Sequence, residues 1–248
     1  FCAIMKRAIV VGASSGIGRE VARLLLAEGW HVGVAARRTI LLEELKSEFP
    51  ERVITSCIDV TEDMAVQKLH DLIGQLGGVG LFFYASGIGK QNMQLDTDTE
   101  ERTVMTNSLG FVRMIDVVYN YMSVHQGGHI AVITSIAGTK GLGAAPSYSA
   151  TKALQSTYIE ALEQQARLRR LNIRFTDLRP GFVDTELLGK DKKYPMLMRT
   201  EVVARQIVNA INSRKSVCVI DWRYRVLTFF WRLIPRYLWV RLKISNSA

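Results

Sequence analysis

The chain carries a glycine-rich segment near its beginning, Gly12-Ala13-Ser14-Ser15-Gly16-Ile17-Gly18. It follows a short apolar run at residues 8–11 and precedes a segment whose apolar residues recur with helical spacing. Glycines let a backbone approach a phosphate closely, and the first turn of a helix offers unpaired N–H groups and the positive end of its dipole. A glycine-rich turn between a buried strand and a helix therefore predicts the place where a dinucleotide pyrophosphate binds.

The alternation of strand and helix continues along the chain. Further apolar runs lie at 32–35, 53–58, 81–84, 130–134, 173–178 and 217–220, with helical segments between them. Continuous apolar runs are typical of strands buried on both faces of a parallel sheet. The sequence predicts an α/β fold with a Rossmann-type, doubly wound, seven-stranded parallel sheet in a three-layer sandwich. We expect one catalytic domain over residues 1–220 and a tail, not a second domain, over 221–248.

Composition limits the class of protein. The 248 residues are 48% hydrophobic and 22% charged, which suits one globular α/β domain. The cysteines Cys2, Cys57 and Cys218 are an odd, widely spaced set, which argues against a disulfide framework and favours a reducing, cytoplasmic compartment. Cys57 and Cys218 lie in strand-like runs, so both thiols are expected to be buried and inert.

Targeting, membrane-spanning and metal signals are weak. The chain shows no secretory signal pattern, and Met5 is readable as a natural start after four added residues. No charge-free run of 18 apolar residues predicts a spanning helix. His125 and His129 are four residues apart, but they flank Gly127-Gly128 and have no third ligand nearby. We therefore predict no metal site.

The end of the second predicted strand indicates the cofactor. An acid at this position binds the ribose hydroxyls of NAD, whereas an arginine accommodates the 2′-phosphate of NADP. The chain reads Ala35-Ala36-Arg37-Arg38, with no acid. A guanidinium stays charged and binds phosphate in a bidentate manner. We predict NADP, with NADPH preferred over NADH, Arg37 as the first contact and Arg38 as a second; the alternative is two solvated arginines at a helix start.

Three side chains predict acid–base chemistry. Tyr148 and Lys152 are four residues apart in a helical segment that runs to about Arg170, so they share one helix face. An ammonium about 4 Å from a phenol, at an effective dielectric of about 20, contributes roughly 4 kcal/mol and would lower the phenol's pKa by roughly three. Tyr148 is thus the predicted general acid/base. Ser135 ends the fifth strand, where its hydroxyl would bond the substrate oxygen.

The glycine spacing, Ser135 and the Tyr148-x-x-x-Lys152 pair together resemble the short-chain dehydrogenase/reductase family, from about residue 6 to about residue 220. The resemblance implies an NADP(H)-dependent oxidoreductase that interconverts a carbonyl and an alcohol, with Lys152 also holding the nicotinamide ribose. It implies that Asn107 holds a water linking Lys152 to solvent, although a buried structural asparagine is the alternative. The predicted catalytic residues are Asn107, Ser135, Tyr148 and Lys152.

The same resemblance extends the cofactor site. Asp59 would face the adenine, with the backbone of Val60 nearby, or it would cap the following helix. The loop 180–185 would pack on the nicotinamide, and residues 186–199 would form a mobile substrate lid. The predicted cofactor-binding residues are Gly12, Ser14, Ser15, Gly16, Ile17, Gly18, Arg37, Arg38, Asp59, Val60, Ser86, Gly87, Asn107, Tyr148, Lys152, Pro180, Gly181, Val183 and Thr185.

Two stretches of the chain depart from the family pattern. Val11 stands where the family usually has Thr, and Tyr84-Ala85-Ser86-Gly87 replaces Asn-Asn-Ala-Gly. In relatives, those polar side chains help tie the fourth strand to the glycine turn. We expect an apolar contact to replace them here.

The tail is basic and aromatic. Residues from Asp221 onward carry +5 of the net charge of +9, and residues 222–243 contain seven aromatic and six basic side chains. Pro235 divides this segment into two amphipathic pieces. Such a segment suits a membrane interface, a cover over the substrate pocket or a subunit contact. Nucleic acid binding is not expected.

These patterns predict a carbonyl reductase that acts on a small-molecule substrate, apolar or lipid-like, and the family resemblance implies a homodimer or homotetramer. It would be cytoplasmic, with peripheral membrane contact through residues 222–243. The alternative from another class is a non-enzymatic NADP-binding protein that acts at a membrane surface or as a regulatory partner.

Overall fold

The computed structural model describes residues 6–188, 194–242 and 244 of the chain. Its strands are β1 Arg7–Val11, β2 His31–Ala36, β3 Val53–Cys57, β4 Leu81–Tyr84, β5 Gly128–Ile133, β6 Ile173–Arg179 and β7 Val217–Val219. Its helices are α1 Gly16–Ala27, α2 Thr39–Glu48, α3 Ala65–Leu76, α4 Thr97–Val104, α5 Gly110–Val124, α6 Pro146–Leu168, α7 Thr200–Asn212, α8 Trp222–Leu233 and α9 Arg236–Trp239. A π-helical turn, Met105–Leu109, joins α4 to α5, and a 3-10 turn, Ile136–Thr139, follows β5.

The described strands form one seven-stranded sheet in the order β3-β2-β1-β4-β5-β6-β7, and all neighbours are parallel. The order reverses between β1 and β4, which creates a crevice at the carboxyl ends of the strands. The predicted doubly wound sheet is confirmed, and each predicted strand matches an observed one within two residues.

Two apolar layers cover the sheet, as expected for strands buried on both faces. On one side, α1, α2, α7 and α8 pack against it through a cluster that includes Leu25, Leu42, Ile207 and Tyr224. On the other side, α3, α5 and α6 contribute a cluster that includes Phe111. The three-layer architecture follows directly from the continuous apolar pattern of the strands.

The prediction that both strand cysteines are buried is wrong for one of them. Cys218 in β7 is buried, but Cys57 is exposed. Cys57 is the last residue of β3, which is the edge strand of the sheet, and side chains there have a neighbouring strand on one side only. An apolar run alone does not distinguish the end of an edge strand from the centre of the sheet.

The tail forms two helices separated at Pro235, as predicted. Pro235 lies between α8 and α9 with extended backbone, where the missing N–H of proline does not interrupt a helix. Among the described residues, no helix combines the length and apolar character needed to cross a bilayer. Lys243 and residues 245–248 of the predicted tail lie outside the described residues.

Candidate active site

The predicted site residues come together at the carboxyl edge of the sheet. Most of them follow the carboxyl ends of six parallel strands, which meet at one edge of the sheet. Residues 12–18 follow β1, 37–38 follow β2, 59–60 follow β3, 86–87 follow β4, 135 follows β5 and 180–185 follow β6. Asn107 lies in the π-helical turn, and Tyr148 and Lys152 lie in α6.

The turn at residues 12–18, called the glycine turn, has no room for a Cβ at two of its glycines. Gly12 has φ +91°, and a Cβ there would lie 2.7 Å from the Ser86 nitrogen. A Cβ on Gly18 would lie 2.1 Å from the Gly12 carbonyl oxygen. The Ala85 N–H donates to the Val11 carbonyl at 2.8 Å, so a backbone hydrogen bond ties β4 to this turn. The methyl of Ala85 faces Gly18, which fits the apolar contact expected in place of the family's polar residues.

The first turn of α1 presents its N–H groups toward the crevice. Ser15 occupies the N-cap position, and in the described structure its side chain does not cap them. Ser15 Oγ and Ser14 Oγ instead accept from the Arg38 guanidinium at 2.6 and 3.1 Å. The turn therefore combines a helix N-terminus with a positive side chain.

The two arginines after β2 have different partners. Arg38 also pairs with the Glu186 carboxylate at 2.8 Å, and this hydrogen bond lowers the pKa of Glu186. Arg37 is more exposed and lies 3.8 Å from the carboxylate of Asp59. Arg38, which the sequence ranked second, is thus the arginine closer to the glycine turn.

Asp59 forms a turn of its own and does not cap α3. Its Oδ1 accepts from the Thr61 N–H at 3.0 Å and from the Thr61 hydroxyl at 2.7 Å. Helix α3 begins only at Ala65, with Met64 at its N-cap. The helix-cap alternative for Asp59 is therefore wrong, and its remaining carboxylate oxygen faces Arg37.

Tyr148 lies against Ser135 at the mouth of the crevice. Ser135 Oγ accepts from the Ala137 N–H at 3.1 Å, and the Ser135 hydroxyl also hydrogen-bonds Tyr148. Tyr148 is half-buried, and its ring packs on Gly89, where a Cβ would lie 2.5 Å from Cδ2. Gly89 is a site residue that sequence reasoning missed, because nothing local links it to a tyrosine 59 positions later.

The predicted lowering of the Tyr148 pKa by Lys152 is wrong for this structure. Desolvation raises the pKa of Tyr148, and its hydrogen bond with Ser135 offsets only part of this. The Lys152 ammonium lies 5.8 Å from the ring centroid, and two of its three protons are directed to other acceptors. The sequence estimate assumed a close, unshared ammonium, which α6 does not provide.

Lys152 is held by a buried network that includes Gln155. Its Nζ donates to the Ile133 carbonyl and to Gln155 Oε1, both at 3.0 Å, and Gln155 Nε2 donates to the Asn107 carbonyl at 2.8 Å. Burial lowers the pKa of Lys152 to about 8, and Asp177 partly offsets the effect. The Gln155 side chain thus joins Lys152 to the backbone carbonyl of Asn107. The water expected to link Lys152 to solvent stays a prediction.

Asn107 is fixed by the π-helical turn. Its Oδ1 accepts from the Ile88 N–H at 2.8 Å, and its Nδ2 donates to the Ile88 carbonyl at 2.7 Å and to Thr151 Oγ1 at 3.2 Å. All its polar side-chain atoms are thus engaged while it is fully buried. In a π-helical turn the backbone hydrogen-bond register differs from that of an α-helix. This change suits the backbone carbonyl of Asn107, which accepts from Gln155 outside the turn.

Glu100 of α4 anchors the start of the catalytic helix. Its Oε2 accepts from the Ser147 N–H at 3.0 Å and its Oε1 accepts from Asn92 Nδ2 at 2.8 Å. A carboxylate at a helix N-terminus is favoured by the helix dipole. Glu100 thereby fixes the turn that carries Tyr148.

The loop after β6 is held by the tail. Tyr224 of α8 is fully buried; its hydroxyl accepts from the Phe182 N–H at 3.1 Å and donates to the Pro195 carbonyl at 2.9 Å. A Cβ on Gly181 would lie 2.2 Å from the Tyr224 ring. Gly181 is therefore needed for the contact with α8, and the tail supports both the loop and the end of the predicted lid.

The rest of the predicted loop and lid is partly described. Thr185 Oγ1 donates to the Val183 carbonyl at 3.3 Å, and its methyl faces Gly16. Val183 pairs with Met198, which draws the two ends of the lid segment together. Residues 189–193 of the lid lie outside the described residues.

Helix α9 contacts the segment that precedes Tyr148. Trp239 Nε1 donates to the Gly141 carbonyl at 2.8 Å, and Lys140 Nζ donates to the Ile234 carbonyl at 2.8 Å. These contacts hold the tail against the segment that leads into α6. The three alternatives for the role of the tail stay predictions.

Tyr224→Phe is expected to lower the free energy of unfolding by about 1–3 kcal/mol, because it leaves the buried Phe182 N–H without its acceptor. Chemical denaturation measures this change. Tyr237→Phe is the matched control, since Tyr237 is exposed. Equal stability of the two variants would contradict the role given to Tyr224.

Among residues 6–188, 194–242 and 244, no group of three or more His, Cys, Asp or Glu side chains could hold a metal ion. His129 instead bonds Thr176 Oγ1 at 2.8 Å, and His125 stacks on Tyr121.

Comparison with known proteins agrees with this geometry. A family model described as short chain dehydrogenase matches residues 6–195. An uncharacterized oxidoreductase of Myxococcus xanthus is 30% identical over 94% of this chain and 94% of its own length. A short chain dehydrogenase from Burkholderia cenocepacia in complex with NADP has a TM-score of 0.82 at 20% identity, covering 96% of this chain and 98% of its own. An alcohol dehydrogenase from Thermococcus sibiricus, complexed with 5-hydroxy-NADP, has a TM-score of 0.76 at 23% identity over 89% and 97%.

Proposed function

The chain belongs to the short-chain dehydrogenase family, and on that premise we propose that it is an NADP(H)-dependent oxidoreductase that reduces a carbonyl group to an alcohol. The observation that carries the proposal is the contact between Tyr148 and Ser135, with the buried Lys152 behind them. A proton donor, a second hydroxyl and an ammonium converge on one crevice, which is the set that carbonyl reduction needs.

The residues of the crevice fit a dinucleotide. The glycine turn admits no Cβ at Gly12 or Gly18, and the first turn of α1 offers N–H groups suited to a pyrophosphate. The Glu186 carboxylate accepts from both Arg38 and Ser15, so this corner already binds an oxyanion. A phosphate oxygen of the cofactor would take the place of that carboxylate.

The preference for NADPH over NADH rests on charge. Arg37 and Arg38 follow β2 where an acid would repel a 2′-phosphate, and the neighbouring Asp59 is already paired with Arg37. Solved proteins of this fold from two organisms carry NADP or an NADP analogue. We infer that Arg38 and Arg37 together hold the 2′-phosphate.

The hydrogen bonds of the site indicate a role for each catalytic side chain. The bound cofactor would supply a hydride to the carbonyl carbon and would be left oxidised as NADP⁺. Tyr148 donates its proton to the carbonyl oxygen, and because burial raises its pKa, the phenol carries that proton at neutral pH. Ser135, which hydrogen-bonds Tyr148, would donate its hydroxyl proton to the same oxygen. Lys152 uses two of its three donors within the protein, which leaves one for the ribose.

The substrate is proposed to be apolar. The rings of Phe182 and Tyr194 pack 4.9 Å apart beside the crevice, and Met196 packs against the adjoining apolar cluster. A cytoplasmic homodimer or homotetramer remains the expected state of the protein, with peripheral membrane contact through the tail.

Arg37→Ala and Arg38→Ala should each weaken NADPH binding about 10- to 100-fold and leave NADH binding unchanged, because each removes a charge-assisted contact with the 2′-phosphate. Fluorescence titration with both cofactors measures the two dissociation constants. Arg167→Ala is the control, since Arg167 is exposed on α6 and pairs with Glu163. Equal affinity of the unaltered protein for NADPH and NADH would refute the assignment.

A further inference from the structure

One face of α8 carries large apolar side chains that point away from the protein. Trp222 is 70% exposed and Leu233 is 63% exposed, and Val226, Phe229 and Phe230 lie between them in the chain. At 3.6 residues per turn, positions 222, 226, 229, 230 and 233 fall on one stripe of the helix. These five residues are called the α8 face below.

The opposite stripe of the same helix is already used. Tyr224 and Thr228 are buried, and Trp231 packs edge-on against Trp239 of α9 at 5.4 Å. Rotation of the helix therefore cannot bury the α8 face without breaking the Tyr224 contacts to the loop after β6. The exposed face is a consequence of how the helix is anchored.

Charge indicates what the α8 face binds. Arg225 and Arg232 are exposed and about two helical turns apart, so they line one margin of the face. Arg223 lies near the other margin, paired with Asp221 at 2.8 Å. Aromatic and aliphatic side chains flanked by arginines are suited to the boundary between acyl chains and anionic headgroups.

A second copy of the chain fits this face poorly. Residues 222–248 contain no Asp or Glu. An isologous contact across α8 would place Arg225 and Arg232 near their own symmetry mates, and like charges brought together across an interface are unfavourable. Anionic lipid headgroups supply the complementary charge that the tail of a second copy lacks.

We propose that the α8 face docks the protein on an anionic membrane surface and thereby turns its active-site crevice toward the bilayer. Tyr224, on the buried side of α8, bonds Phe182 and Pro195, and Trp239 of α9 bonds Gly141. The helix that would contact the membrane therefore also supports the loop after β6 beside the active site. The substrate class that follows is an apolar carbonyl compound taken from the membrane; this part rests on the proposed reductase function.

Vesicle cosedimentation tests the docking without any turnover. The unaltered protein should pellet with phosphatidylcholine vesicles containing about a third phosphatidylglycerol, and release at high salt, because each arginine near such a surface adds about fivefold to binding. Trp222→Ser combined with Phe229→Ser and Phe230→Ser should abolish pelleting. Arg225→Glu combined with Arg232→Glu should weaken it by at least about tenfold.

The controls separate docking from folding and from catalysis. Ile40→Ser and Leu168→Ser remove apolar side chains that are 77% and 79% exposed elsewhere and should pellet like the unaltered protein. All variants should keep the same thermal unfolding midpoint and the same turnover of a water-soluble carbonyl. Vesicle binding without turnover of any carbonyl would refute the reductase proposal, but it would support the α8 face as the docking surface.

Two results would overturn the docking proposal. One is equal pelleting of the unaltered protein and the triple serine variant. The other is a dimer, measured by light scattering without lipid, that the triple serine variant converts to a monomer, because this would assign the α8 face to a second copy.

Discussion

Tyr148→Phe is expected to lower kcat for carbonyl reduction by about 10²- to 10⁴-fold, while the dissociation constant for NADPH stays within about threefold. The substitution removes only the phenolic proton, which the buried hydroxyl holds beside Ser135. The ring remains and still packs on Gly89, so the fold and the glycine turn are unaffected. Stopped-flow measurement of NADPH oxidation separates this loss in the chemical step from cofactor binding.

The matched control for this prediction is Tyr121→Phe. Tyr121 lies on α5, stacks on His125 and is remote from the crevice, so its phenol takes no part in the reaction. Carbonyl reduction at an undiminished rate in Tyr148→Phe would show that another group donates the proton.

Carbonyl reduction is expected to decline as pH rises through about 8. Burial lowers the pKa of Lys152 to about 8, with Asp177 partly offsetting it, so the ammonium is present below that pH and is lost above it. The ammonium is the form that binds ribose, and its loss should reduce kcat/KM about tenfold for each further pH unit. Tyr148 does not produce this decline, because its pKa lies above its ordinary value of 10.0.

Lys152→Met tests the assignment of this titration. It should lower kcat/KM by roughly 10²-fold or more at pH 7 and remove the inflection near pH 8. Lys140→Met is the control, because Lys140 bonds the Ile234 carbonyl of the tail. An inflection that survives in Lys152→Met belongs to another group and would contradict the role given to Lys152.

Local sequence signals predicted the sheet and the residues at its edge well. The seven apolar runs became the strands, because burial on both faces leaves a pattern that is readable within a few residues. The glycine turn and the start of α6 follow from steric and helical rules that are also local. The positions of Ser135, Tyr148 and Lys152 in one crevice then follow from the parallel topology.

The hydrogen bonds that hold the site residues in place could not be predicted from local sequence signals. Gln155 bonds the Asn107 carbonyl across 48 positions, Ser147 bonds Glu100 across 47, and Tyr224 bonds Phe182 across 42. No periodicity connects residues so far apart, since each contact depends on how two helices or loops pack. The predicted lowering of the Tyr148 pKa was wrong for the same reason. The acceptors that bond the Lys152 ammonium lie on β5 and on the next turn of α6.

The most direct test of the reductase account is the oxidation of NADPH and NADH by the unaltered protein against short-chain, aromatic and long-chain carbonyl compounds. We expect turnover with NADPH well above that with NADH, because Arg37 and Arg38 favour the 2′-phosphate. We expect the fastest turnover with the apolar carbonyls, because Phe182 in the loop after β6 packs against the ring of Tyr194. Tight NADPH binding without turnover of any carbonyl in the panel, or equal use of the two cofactors, would contradict it.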